Sequence, residues 1–206
     1  MAEPQNPRPA VALRVDALAR FGVGHLVRQL ALAEEFAARG RRVRVLGETD
    51  VAWAQRQLDA RGLVLERPDA DPDAFAARLA AEGVGICVID GYEIPLAVGR
   101  AARAAGVAVG ALCDGAFGLD QDADVYVDQN LGAVAAPERH PGARWLVGPR
   151  YVLLRDLVRD RRRDPTPGPP GEAPRVLVVF GGTDPFGGCA TTVGLLLATG
   201  LPVRVT

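Results

Sequence analysis

The chain has 206 residues, 49% hydrophobic and 24% charged, enough for one well-buried core with residues to spare. A formal net charge of -1 offers no basic face to nucleic acid, and the positive side chains are all arginine, which marks coding bias rather than a binding surface. The Pro-rich start lacks a signal-peptide core, no run is apolar enough to span a membrane, and Cys87, Cys113 and Cys189 are too far apart for a metal or redox pair. A cytoplasmic, soluble protein with no metal and no cofactor is therefore expected, with its oligomeric state open.

Residues 1–10 read as a disordered tail. Apolar, β-branched runs then alternate with alanine-rich helical patterns. Strands are predicted at Val11–Val15, Arg42–Leu46, Leu63–Leu65, Ile86–Ile89, Val107–Leu112, Val125–Val127 and Arg144–Val147. Helices are predicted at His25–Arg39, Val51–Arg61, Pro72–Ala81, Pro95–Ala105 and Tyr151–Arg161. In the first helix Leu26, Leu30, Ala33 and Ala37 share a face, and Gly40 stops it. Asp71 before Pro72 is a cap followed by proline at the first helical position. This alternation over residues 11–160 predicts an α/β, Rossmann-like domain with a parallel sheet. Ligands on such sheets bind beyond the carboxyl ends of the strands, where the loops carry Asp16, His25, Asp90, Tyr92 and Asp114.

Residues 161–174 are charged, then Pro/Gly-rich, and read as a linker. Beyond it, Arg175–Phe180 is a second buried-type strand, Gly181–Gly188 a loop, Cys189–Thr199 a helix and Pro202–Val205 a further strand. Residues 175–206 are too few to close a core, so they read as the start of a second domain truncated at Thr206. The alternative is that these strands extend the first sheet.

Four constellations bear on chemistry. In Gly22-Val-Gly24-His25 a glycine-broken loop delivers a histidine to a helix start. Free N–H groups there attract anions and disfavour the imidazolium, so a neutral imidazole able to accept a proton is expected. A tight turn with a surface histidine is equally compatible. The segment is neither a P-loop nor a full G-x-G-x-x-G, since Val27 stands where the third glycine belongs. Arg28, one turn on, has the charge to hold a phosphate, but its spacing favours a solvated side chain. Asp90, ending an apolar strand before Tyr92, is placed to bond a sugar hydroxyl, orient a histidine or cap the next helix. In Gly181-Gly182-Thr183-Asp184 the glycines let backbone N–H groups approach a diphosphate, and a plain βα turn reads the same way.

Five segments in order resemble one family: Arg14-Val-Asp-Ala…Gly22-Val-Gly-His25-Leu-Val-Arg28, Val88-Ile-Asp-Gly-Tyr92, Asp124-Val-Tyr-Val-Asp-Gln-Asn130, Val147-Gly-Pro-Arg-Tyr-Val-Leu-Leu-Arg155 and Val179-Phe-Gly-Gly-Thr-Asp-Pro185. The family contains the UDP-sugar hydrolase of pseudaminic acid biosynthesis (the UDP-2,4-diacetamido-2,4,6-trideoxy-beta-L-altropyranose hydrolase) and spore-coat polysaccharide glycosyltransferase-like proteins. The resemblance implies a GT-B-like architecture of two Rossmann-like domains around a cleft. It implies hydrolysis of a UDP-linked amino-deoxy sugar by water attack at the anomeric carbon, with His25 as the base. Asp16, Gly22, Gly24, Arg28, Asp90 and Tyr92 would face the sugar, and Gly181, Gly182 and Thr183 the diphosphate. Two departures stand out: Leu18 replaces the family's serine after Asp16-Ala17, and Cys113-Asp114 replaces a usual aspartate pair. The alternatives are a GT-B glycosyltransferase using a UDP-sugar donor and a non-catalytic remnant that binds sugar nucleotides. These 206 residues alone are expected to bind UDP weakly.

Overall fold

The computed structural model describes residues 8–162, 173–182, 184 and 186–206. Most of the expected linker and most of the expected tail lie outside those residues. The elements are β1 (Ala10–Val15), α1 (Gly24–Ala38), β2 (Val43–Leu46), α2 (Ala52–Asp59), β3 (Leu65–Glu66), α3 (Pro72–Ala81), β4 (Val84–Asp90), α4 (Ala97–Ala104), β5 (Ala108–Leu112), β6 (Val125–Asp128), β7 (Arg144–Val147), α5 (Asp156–Arg159), β8 (Arg175–Val176), α6 (Gly188–Ala198) and β9 (Arg204–Val205).

The first seven strands form one sheet in the order β3-β2-β1-β4-β5-β6-β7, with every pairing parallel. This is an α/β, Rossmann-like fold. The chain runs outward from β1 through β2 to β3, then returns to place β4 on the other side of β1. That reversal opens a crevice beyond the carboxyl ends of β1 and β4, the place where ligands bind on open parallel sheets.

Helices cover both sides, which is why β1 is an almost unbroken apolar run. Alternate β1 residues point to opposite faces. Val11, Leu13 and Val15 pack with Leu26, Leu30 and Ala33 of α1 and with Ala54 and Leu58 of α2. Ala10 and Ala12 belong to the other layer, with Phe75 and Leu79 of α3 and Val98 and Ala102 of α4. Local signals match their elements. The Asp71 carboxylate accepts from the Ala74 N–H at 3.1 Å and caps α3. Gly40 has φ 72°, the left-handed conformation that ends α1.

Three expectations fail for identifiable reasons. Leu63 is not in a strand, because its N–H closes the end of α2 on the Leu58 carbonyl, so β3 starts at Leu65. The helix expected over Tyr151–Arg161 is instead a 3-10 turn at Pro149–Tyr151, an extended stretch and the short α5. Side chains of the main body capture its backbone: Leu153 N–H donates to Gln129 Oε1 at 2.9 Å and Asp156 N–H to Glu34 Oε2 at 2.7 Å. Only Arg175 and Val176 of the expected Arg175–Phe180 strand pair, and they pair with β9 in a separate two-stranded sheet rather than extending the first.

Gly47, just after β2, donates its N–H to the Glu66 carbonyl, and a Cβ there would collide with the Val15 carbonyl. Gly47→Ala is therefore expected to lower stability by about 1–3 kcal/mol, the usual cost of overpacking. A urea midpoint equal to that of the parent would show that the end of β1 yields without cost.

Candidate functional site

The crevice at the switch point is built by the loop after β1 and the end of β4. Phe21 and Gly22 N–H groups both donate to the Leu18 carbonyl, turning the chain tightly, and Gly22 adopts φ 81°, which favours glycine. Val23 then precedes α1 without a side-chain cap. The first-turn N–H groups of Gly24 and His25 are thus left without a capping side chain.

His25 is buried at 8% exposure, between Asp90 and the ring of Tyr92. Its pKa lies below the ordinary 6.5, first because of burial, with the Arg28 cation adding to the shift and the Asp90 carboxylate opposing it. The shift favours the neutral ring, and burial, not the helix start, leads as its cause. Nδ1 stands 3.9 Å from Asp90 Oδ1, beyond hydrogen-bond reach. Tyr92 packs edge-on against His25, Phe21 and Phe117. Its hydroxyl donates to Asp114 Oδ2 at 3.1 Å, and Asp114 Oδ1 accepts from Asn130 Nδ2. Burial and the Asp114 charge raise the Tyr92 pKa, so the phenol stays protonated.

Two expectations change here. Arg28 is not a solvated side chain. Its Nε donates to Asp90 Oδ2 at 2.7 Å and its Nη2 to Asp90 Oδ1 at 2.6 Å, a two-pronged pair in the interior. The side chain of Asp90 is 0% exposed, so it is closed to a ligand, and α4, preceded by Leu96, starts without a side-chain cap. None of its three expected roles is met as stated: it makes no hydrogen bond to His25, and both its oxygens hold Arg28 instead. Burial works against the Arg28 cation, but the hydrogen bonds and charge of Asp90 outweigh it, and the guanidinium pKa is raised.

Asp16 serves the loops. Its Oδ1 accepts from Arg14 Nη1 at 2.6 Å and from the Glu48 N–H at 3.0 Å, tying the loop after β1 to the loop after β2. Gly22, Gly24, Gly181 and Gly182 all line a cavity of about 630 Å³ between the start of α1 and the loop after β8. A Cβ on Gly182 would come within 2.7 Å of Val23 Cγ2, so the two loops touch closely. Phe21, Trp53 and Phe180 form aromatic walls, and Arg155 is the one charged lining residue among those described. His25 itself is not among the lining residues, whereas its chain neighbour Gly24 and Phe21, which contacts Tyr92, are. Thr183 lies outside the described residues. Asp184 closes the start of α6: its carboxylate accepts from the Gly188 N–H at 2.7 Å and the Cys189 N–H at 3.0 Å. Those N–H groups are occupied, so the βα turn is a capped one.

Sequence reasoning missed Gln29, Trp53, Phe117 and Arg155. Gln29 left a signal, a polar residue on the apolar face of α1 three residues after Leu26; it is fully buried, with Nε2 3.4 Å from Asp90 Oδ2. Trp53 and Arg155 meet only in the folded chain, with the guanidinium 5.9 Å from the centre of the indole. Cys87 and Cys113 are buried thiols pushed up to about 12 by desolvation, which fits small core residues rather than nucleophiles. Among the described residues no group of three or more His, Cys, Asp or Glu side chains is placed to hold a metal ion, and no helix is long and apolar enough to cross a membrane.

No protein-family model matches the chain, and no curated protein matches it. Among solved structures it is similar to the crystal structure of Acinetobacter baumannii MurG, at 19% identity and a TM-score of 0.49. The match covers 68% of this chain and 45% of that one, so the chain spans less than half the length of the protein it matches.

Proposed function

We propose that this chain forms the sugar-facing part of a GT-B-like enzyme that breaks the bond between a sugar's anomeric carbon and a UDP leaving group. The observation that carries the reading is a buried His25 at the topological switch point, beside a glycine-lined cavity and an uncapped helix start. His25 takes the proton from an attacking hydroxyl. The oxygen bonds to the anomeric carbon as the carbon–oxygen bond to UDP breaks, and one such displacement inverts the centre. The charge on the departing UDP meets the N–H groups at the start of α1 and the glycine backbone at Gly181 and Gly182. Asp16 holds the loop that sets Gly22 and Gly24, and Tyr92 holds the imidazole.

The family resemblance supports water as the nucleophile, and hence a hydrolase acting on a UDP-linked amino-deoxy sugar. A second reading, glycosyl transfer to an acceptor hydroxyl, draws support from Phe117, which is 55% exposed beside Tyr92 and offers a flat apolar face to a second sugar ring. The test is UDP release from a panel of UDP-linked amino sugars by the protein as its gene encodes it, with and without acceptors. Release without acceptor, with free sugar as co-product, supports hydrolysis; release only with acceptor supports transfer. No release from any donor overturns both.

A further inference from the structure

Arg28 and His25 lie three residues apart on α1, so both reach the same carboxylate at the end of β4. The two contacts differ sharply. Arg28 meets Oδ1 and Oδ2 at 2.6 and 2.7 Å, whereas His25 Nδ1 is 3.9 Å from Oδ1. A carboxylate placed to orient a catalytic imidazole normally makes a short hydrogen bond to it and stabilises the imidazolium. Here the fork of the guanidinium takes both oxygens, and Gln29 Nε2 approaches Oδ2 from the same helix.

We propose that Arg28 is a positioning residue for His25 that acts through Asp90: by clamping both carboxylate oxygens it withholds from Nδ1 the short hydrogen bond that would keep the ring protonated. The proposal rests on the reading of His25 as the base, because only a neutral ring can accept the proton of the nucleophile. The surroundings agree with it. Besides the ring contact with Tyr92, the charges that act on the imidazole are Arg28 from α1, Asp90 from the end of β4, Asp114 from the loop after β5 and Asp16 from the loop after β1. Three carboxylates and one cation would ordinarily favour imidazolium. Burial opposes it, and the nearest carboxylate is committed elsewhere.

Arg28→Lys separates the clamp from simple charge. Lysine keeps the positive charge, and so keeps Asp90 ionised, but it binds as a point and cannot grip both oxygens. NMR titration of His25, with His140 as the internal reference, reads the outcome without any turnover. The expected result is a rise of about one pH unit or more in the His25 midpoint, the scale of effect of a carboxylate brought into contact. The acid limb of the pH–rate profile should move by the same amount. An unchanged or lowered midpoint overturns the proposal. Should Arg28→Lys fail to fold, the parent protein decides. A strongly downfield, exchange-protected Hδ1 on His25 would show the Asp90 bond already made and sink the clamp; its absence is the expected result. The titration and the effect of His25→Ala on turnover are independent, so failure of the clamp and failure of the base assignment are told apart.

Discussion

Replacing His25 by alanine is expected to lower turnover by about 10²–10⁴-fold, the usual contribution of a general base, while leaving UDP binding within a small factor of the parent. The separation follows from the geometry. The groups proposed to hold the diphosphate are backbone N–H groups at the start of α1 and the glycines of two loops, and none needs the imidazole. The imidazole is not among the cavity's lining residues and stands against Tyr92 and Asp90. The pH dependence carries a sign. The competent form is the neutral ring, whose pKa is lowered below 6.5 by burial. Turnover should therefore be flat around neutrality and fall on acidification only as the pH passes down through that lowered value. The alanine variant should lose this acid limb along with most of its rate. Calorimetry on the same variant checks UDP binding. Turnover unchanged in His25→Ala would remove the base assignment, and turnover and binding lost together would make His25 a ligand contact instead.

How much of this was legible in the sequence depended on whether a residue's role is set by its neighbours in the chain or by the packing. The strand and helix alternation placed seven strands within a residue or two, because each buried strand of a parallel sheet is a short apolar run between turn signals. The turn at Gly22 was legible for a related reason: its left-handed conformation favours glycine, which marks the turn in the sequence. Arg28 was misread because helical spacing says which face a side chain shares but not what waits there, and what waits is Asp90, 62 residues away. Asp90 had three open roles, and its burial against Arg28 gives it another, which no local pattern shows. The segment after Pro149 reads as helix by pattern, yet Gln129 and Glu34 take the N–H groups that a longer helix would have used. Arg155 and Trp53 come from segments about a hundred residues apart, and no local pattern announces that they line one cavity.

Asp90→Leu should be the most destabilising single change at the site, by about 3–5 kcal/mol, because it leaves the Arg28 guanidinium inside the protein with no counter-charge. The side chains of the pair are 11% and 0% exposed, so solvent offers the cation little relief. The guanidinium cannot escape by losing its proton. The reverse substitution behaves differently. Arg28→Met leaves a buried carboxyl, whose pKa burial already raises, and a carboxyl can take up a proton. Its cost should therefore shrink as the pH falls, whereas that of Asp90→Leu should not. The double variant Arg28→Met/Asp90→Leu removes both charges and fills the space with apolar atoms, so it should recover most of the loss. Urea denaturation of the four proteins at two pH values closes the cycle. Independent costs that simply add, with no pH dependence in Arg28→Met, would mean that the two side chains do not act as a pair. Near-recovery in the double variant would mean that the pair contributes little net stability. Its place in the fold would then be explained by what it does to the imidazole one turn away.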